Sequence, residues 1–191
     1  MPSPMGVRSL LILLGIVWVA LPPAAARAQG PSPGVPPAAG RLDRPCTLEQ
    51  LSRLPWCELE RLYRDSGPGT IPTGYARGLA IYCPDARLAA TRSRVTHLLW
   101  HGKHFCPCDG TLVNQWLGLK AIRARVGYGE SWLDGSPSIV MDYGATSRVW
   151  ADVRDEVREV APGLYLGAMF RRRDPQPQFK MFFALQCPAT E

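Results

Sequence analysis

The feature that most constrains this chain is a change of hydrophobic period. From residue 121 onward, apolar residues recur at every second position or in short runs over five stretches, residues 121–128, 138–143, 149–160, 164–170 and 179–185. In the first, Ile122, Ala124, Val126 and Tyr128 share one side and Arg123 and Arg125 the other. In the second, Ile139, Met141 and Tyr143 oppose Val140 and Asp142. A period of two is that of a strand with one buried face. The connections are turn-like: Asp134-Gly135, Ala161-Pro162-Gly163 and Asp174-Pro175-Gln176-Pro177. Connections this short force antiparallel pairing, because parallel neighbours need a long crossover. A further strand, with small residues on one side, is expected over residues 74–82. Many such strands in a meander predict a mainly β chain closed into a barrel or bent into a strongly curved sheet. A barrel of about eight strands is wide enough to hold one small ligand.

Helical signals precede the strands. Thr47-Leu48-Glu49-Gln50 reads as a capping box, with Thr47 as N-cap and Gln50 reaching back. Pro55 suits the start of a second helix, on which Trp56, Leu59, Leu62 and Tyr63 form one apolar stripe. Such a stripe serves to pack the helix on the domain. Gly67-Pro68-Gly69 ends it.

The remaining organisation follows from composition. Residues 1–28 combine Arg8, an apolar run too short to span a bilayer, Pro22-Pro23 and the small residues Ala26 and Ala28. This is the pattern of a secretory signal peptide and predicts a secreted or periplasmic protein, with no stable membrane anchor after cleavage. Residues 29–41 are dominated by Pro, Gly, Ser and Ala and read as a linker. Residues 42–187 then suit a single domain. The formal charge of +6 becomes +4 once Arg8 and Arg27 are removed, since no acidic residue precedes Asp43. The arginines alternate with acidic residues, and no basic block with interleaved aromatics points to nucleic acid. Six cysteines, Cys46, Cys57, Cys83, Cys106, Cys108 and Cys187, are an even number, which in an exported chain predicts disulfides of unassigned pairing.

Residues 97–108, HLLWHGKHFCPC, allow two geometries. On a helix, His97 and His101 would share a face, and with His104 and the thiols of Cys106 and Cys108 they could hold zinc. Gly102 and Pro107 oppose a helix. On a strand, His101 points with Lys103 and Phe105 while His104 points with Trp100 and Gly102, so the cluster disperses. The strand reading is preferred, with the two cysteines as anchors of bridges to distant partners. A bond between Cys106 and Cys108 themselves would be strained. No cofactor is expected.

The order of several motifs carries a resemblance. "PTGYARG" (72–78), "LWHGKHF" (99–105), "GTLVNQW" (110–116), "SWLDGSPSIVMDYGATS" (131–147), "RDEVREVAPGLYLGAMF" (154–170) and "FFAL" (182–185) resemble a group of uncharacterised bacterial proteins. More distantly the series is similar to the GXWXG and DUF4334 pair of domains. In those domains a W-x-G-K-x-F element is followed by an Asp-Tyr strand end, an Arg-Asp pair and an L-G-x-M strand. Gly74-Tyr75-Ala76-Arg77-Gly78 departs from the GxWxG signature itself. The resemblance implies a calycin-like barrel, lipocalin-like in shape, and no settled activity.

Candidate binding residues come from residues 154–158 and their neighbours. Alternation places Arg154, Glu156 and Arg158 on one side and Asp155 with Val157 on the other. If the first set faces the interior, its arginines could grip a carboxylate or phosphate bidentately. Asp142, Tyr143, Trp132 and Tyr165 would complete the site. The alternative is a face of cross-strand ion pairs. Enzyme signatures are sparse: no Gly-x-Ser-x-Gly, P-loop or His-Glu-x-x-His occurs. The expected function is binding of a small hydrophobic or amphipathic, lipid-like molecule. An enzyme using Asp142, Arg154 and Glu156 is the alternative, and metal binding through His97, His101, His104, Cys106 and Cys108 a second.

Overall fold

The computed structural model describes residues 47–82, 96 and 99–188. It opens with two short helices, α1 (Leu48–Leu51) and α2 (Trp56–Asp65). The capping box at α1 forms as expected: Gln50 N–H donates to Thr47 Oγ1 at 3.2 Å, and Thr47 N–H donates to Gln50 Oε1 at 2.8 Å. Eight strands follow: β1 (Gly74–Ile81), β2 (Trp100–Cys106), β3 (Thr111–Trp116), β4 (Leu119–Glu130), β5 (Pro137–Asp142), β6 (Val153–Ala161), β7 (Leu164–Arg171) and β8 (Gln178–Gln186). Each pairs antiparallel with the next, and β1 also pairs with β8, which closes the barrel. The protein is therefore a mainly β, eight-stranded antiparallel closed barrel with few helices, as the strand pattern predicts.

The side-chain alternation divides the sheet into an inner and an outer face. Phe105, Leu112, Ile139, Met141, Val157 and Phe183 are buried and lie on register positions that face inward. Strand β7 is buried at seven of its eight positions. Its outward residues Leu164, Leu166, Ala168 and Phe170 form a second core with Phe182 and Ala184 of β8, and with Leu48, Leu51, Leu59 and Tyr63 of the helices. This explains why residues 164–170 read as a continuous apolar run. Full burial of one such side chain contributes roughly 1.5–3 kcal/mol, enough to fix helices too short to persist alone. Trp56 seals the seam, its ring 4.7 Å from Phe182 and 5.5 Å from Phe179.

Three expectations are corrected. In β2, a register shift between Trp100 and Gly102 breaks the alternation. Gly102 adopts φ +141, and a Cβ there would lie 2.1 Å from Ala76 O, so only glycine fits. The bulge turns Trp100 to the same side as Lys103 and Phe105 and leaves His101 exposed. In β4, Ile122 adopts φ +63 beside a second register shift, and Asn114 pairs with Ala121. The clean alternation from Ile122 to Tyr128 is broken at its start. Third, Cys57, Cys106, Cys108 and Cys187 are free thiols rather than disulfide partners. They occupy the first turn of α2, the last position of β2, the middle of a one-turn 3-10 helix (Pro107–Asp109), and the segment after β8. Cys106 and Cys108 are too close in sequence for an unstrained bridge. Cys46, Cys83 and His97, and most of the ambiguous 87–98 stretch, lie outside the described residues. No group of three His, Cys, Asp or Glu side chains among the described residues could hold a metal ion.

Candidate functional site

The barrel encloses a polar cluster within apolar walls. Lys103 of β2, Asn114 of β3, Tyr143 just past β5 and Asp155 of β6 converge there. Lys103 Nζ donates to Asn114 Oδ1 at 2.9 Å, to Tyr143 OH at 2.8 Å and to Asp155 Oδ2 at 2.8 Å. Tyr143 OH donates to Asp155 Oδ2 at 2.9 Å and accepts from Asn114 Nδ2 at 2.9 Å. Trp100 Nε1 donates to Asn114 Oδ1 at 3.2 Å. The Ile122 bulge has a role here, since it presents its carbonyl to Asn114 Nδ2 at 3.0 Å. Lys103 Nζ also lies 5.4–5.5 Å from the ring centroids of Trp100, Tyr143 and Phe183.

Burial dominates the electrostatics of this cluster. It pulls the Lys103 ammonium below its ordinary pKa, against the stabilising field of Asp155. It pushes the Tyr143 phenol well above its own, and the Asp155 charge adds to that. Tyr143 is thus held neutral, a donor rather than a nucleophile. Lys103 and Asp155 form an ion pair at 2.8 Å, so the interior lysine has its counter-charge within the cluster.

A wall of tryptophans lies at the same end of the barrel. Trp100 begins β2 and pairs in register with Trp116, the last residue of β3. Trp150, from the loop between β5 and β6, lies 5.9 Å from the Trp116 ring and 6.2 Å from Tyr143. Trp116 is 6% exposed, yet its indole N–H has no acceptor among the described residues. A buried donor without a partner costs about 1–3 kcal/mol, so an acceptor brought by a bound molecule would be favoured there.

The proposed binding residues divide differently from expectation. Arg154, Glu156 and Arg158 do share one side, with Asp155 on the other, but that side is the outside of the barrel. There they are covered by α2 and the 131–136 loop. Arg158 is fully buried; its guanidinium pairs with both carboxylate oxygens of Asp134 at 2.8 and 2.6 Å and donates to Tyr63 O, Ser136 O and Pro137 O. Glu156 accepts from Ser131 Oγ at 2.6 Å, from Trp132 N–H at 2.9 Å and from Tyr63 OH at 3.4 Å. Arg154 Nε lies 2.9 Å from Glu156 Oε1 as an ion pair outside hydrogen-bond geometry, and Arg154 Nη2 donates to Glu130 O. Trp132 lies on the same outer side, its ring 4.3 Å from the Arg154 guanidinium. Asp142 faces outward and pairs with Arg172 at 2.8 Å. Tyr165 faces inward at the opposite end of the barrel and donates to Thr70 O at 2.6 Å. Tyr143 alone among these residues joins the interior cluster. Because the arginines point outward, the acidic head group they were expected to grip has no cationic partner of theirs inside.

The outer network has a pH signature. Burial pushes the Glu156 carboxyl above its ordinary range, against the opposing pull of Ser131, Trp132 N–H, Arg154 and Tyr63. The native state therefore binds this proton more tightly than the unfolded chain does. Its contribution to stability is largest at low pH and falls as pH rises from the ordinary carboxylate range through the raised native value. Thermal melts of wild type and Glu156→Gln across about pH 4 to 7 should show that decline in the wild-type-minus-variant difference. A difference that grows with pH would contradict it.

No protein-family model and no curated protein matches the chain. Among solved structures, the chain is similar to the crystal structure of a protein from Thermomonospora curvata, with 18% identity and a TM-score of 0.48 over 71% of this chain and 89% of that one.

Proposed function

We propose that the barrel interior binds one small, uncharged, mainly apolar molecule bearing a hydrogen-bond acceptor such as a ketone. The observation that carries this reading is the buried, unpartnered Trp116 N–H beside a charge-balanced Lys103–Asp155 cluster. A second interior cation free of its own carboxylate would have favoured an acidic ligand instead. The aromatic rings of Trp100, Tyr143, Trp150 and Phe183, and the small inward residues Ala76, Ala80 and Ala124, suit an apolar body. Export to a secreted or periplasmic location, supported by the composition of residues 1–28, belongs to the same proposal. So does distant kinship with the GXWXG and DUF4334 domains. The motifs behind that resemblance supply Lys103, Asn114, Tyr143 and Asp155 to a single cluster.

The neutral fluorescent ketone 6-propionyl-2-dimethylaminonaphthalene tests the reading. Its emission should shift to the blue on saturable, one-to-one binding. Trp116→Phe keeps an aromatic side chain and removes the donor, so binding should weaken about tenfold. Absence of saturable binding would overturn the proposal. Binding indifferent to Trp116→Phe would remove the acceptor from it.

A further inference from the structure

We infer that the tryptophan-lined end of the barrel docks on an anionic lipid surface. The first observation is conformational. β3 and β4 are joined by the two-residue turn Leu117-Gly118, with φ +48 and +77. A turn with two positive φ angles is the usual place for Asn-Gly or Gly-Gly, and a bulky apolar residue is strained there. Leu117 is nevertheless 48% exposed, so packing against the protein does not repay that conformation. The neighbouring side chains extend the pattern. Leu119 is 60% and Val149 51% exposed. The contact between Trp116 and Trp150 joins the turn to the loop that carries Val149. Three of the five large exposed apolar side chains among the described residues therefore gather at one end.

The charge around them is positive. Lys120 follows Leu119 and Arg148 precedes Val149; both are exposed, and neither has an acidic partner among the described residues. Asp142 and Asp152, at the same end, are taken up by Arg172 and by Arg171 with Arg173. Asp174, beyond β7, is the opposing charge without such a partner among the described residues. Apolar residues at convex loop tips, flanked by cations, enter the headgroup boundary of a membrane with negative surface charge. An acidic protein would also satisfy the cations, but a convex tip offers no pocket for its side chains. No described helix is long and apolar enough to cross a membrane, and peripheral docking needs none. This inference stands apart from the ligand reading.

Co-sedimentation of residues 29–191 with extruded vesicles tests it, using phosphatidylcholine alone or with about 30% phosphatidylglycerol. The protein should sediment with the anionic vesicles at about 20 mM NaCl and be released at about 500 mM, where screening is short-ranged. Leu117→Asn suits the positive φ and removes the apolar side chain, so it should keep the fold and weaken vesicle binding at least about tenfold, together with Val149→Ser. Lys120→Gln with Arg148→Gln should do the same. Binding of the ketone probe in solution is measured on the same variants and should not change. Failure to sediment with anionic vesicles at low salt overturns the inference and leaves an acidic protein as the partner to seek. Sedimentation insensitive to all four substitutions overturns it as well.

Discussion

Lys103→Met is expected to destabilise the protein by about 3–5 kcal/mol, because it leaves Asp155 charged and without a cation in the barrel interior. For a domain of this size that lowers Tm by about 10 °C or more. The ion pair itself is a different quantity. Both partners are desolvated, and the Coulombic gain offsets that cost only because Tyr143 and Asn114 complete the hydrogen bonds. The double variant Lys103→Met with Asp155→Leu should therefore recover most of the loss. Denaturant melts of the two variants separate these effects. A loss under about 1 kcal/mol in the single variant would show that the Lys103–Asp155 pair does not hold the interior together.

Arg158→Met should be as damaging, by about 3–5 kcal/mol, although the residue is on the outside of the barrel. Its guanidinium joins Asp134 to four backbone carbonyls, two of them (Tyr63 and Arg64) in the last turn of α2, and its Cζ lies 4.5 Å from the Tyr63 ring centre. Methionine fills much of the volume and restores none of these bonds. The exposed pair Arg64–Glu60 on the same helix serves as the internal comparison, since pairs of that kind contribute only about 0.3–0.5 kcal/mol. Hydrogen exchange should show the loss first in α2 and residues 131–136. Uniform loosening of the barrel, with α2 still protected, would show that Arg158 does not tie the helix to the sheet.

The legible part of this protein is the part governed by one periodicity at a time. Residues 138–143 alternate cleanly, and β5 is where that pattern puts it. The capping box at Thr47 requires only local atoms, and it forms. The opposite faces of Arg154 and Asp155 follow from pleating alone. Which face is inside does not follow, because α2 gives the outer surface a core of its own. Polar residues buried under a helix then look the same in sequence as polar residues buried in a barrel. Lys103 and Asn114 are hard to place from sequence for a related reason. A lone lysine between Trp100 and Phe105 reads as a solvent-facing strand residue unless the bulge at Gly102 is known. Residues 111–116, which form β3, are hard to read because the polar Asn114 takes an inward position between Leu112 and Trp116.

Gly167 shows how closely the interior is fitted. A Cβ at that position would lie 2.2 Å from the Phe183 ring, which fills the space across the strand pair. The same ring borders Lys103 Nζ, so the glycine indirectly sets one wall of the polar cluster.

Closure of the barrel gives the chain a particular history. β1 is hydrogen-bonded on one side to β2 and on the other to β8, the last strand to be synthesised. Until β8 arrives, the outer edge of β1 has no partner among the described strands, and neither does the far edge of β7. Both are then open to pairing with other molecules. The final joint also links the most distant parts of the sheet, and contacts of that span form late. A barrel of this kind is most vulnerable to aggregation in the interval before β8 pairs with β1.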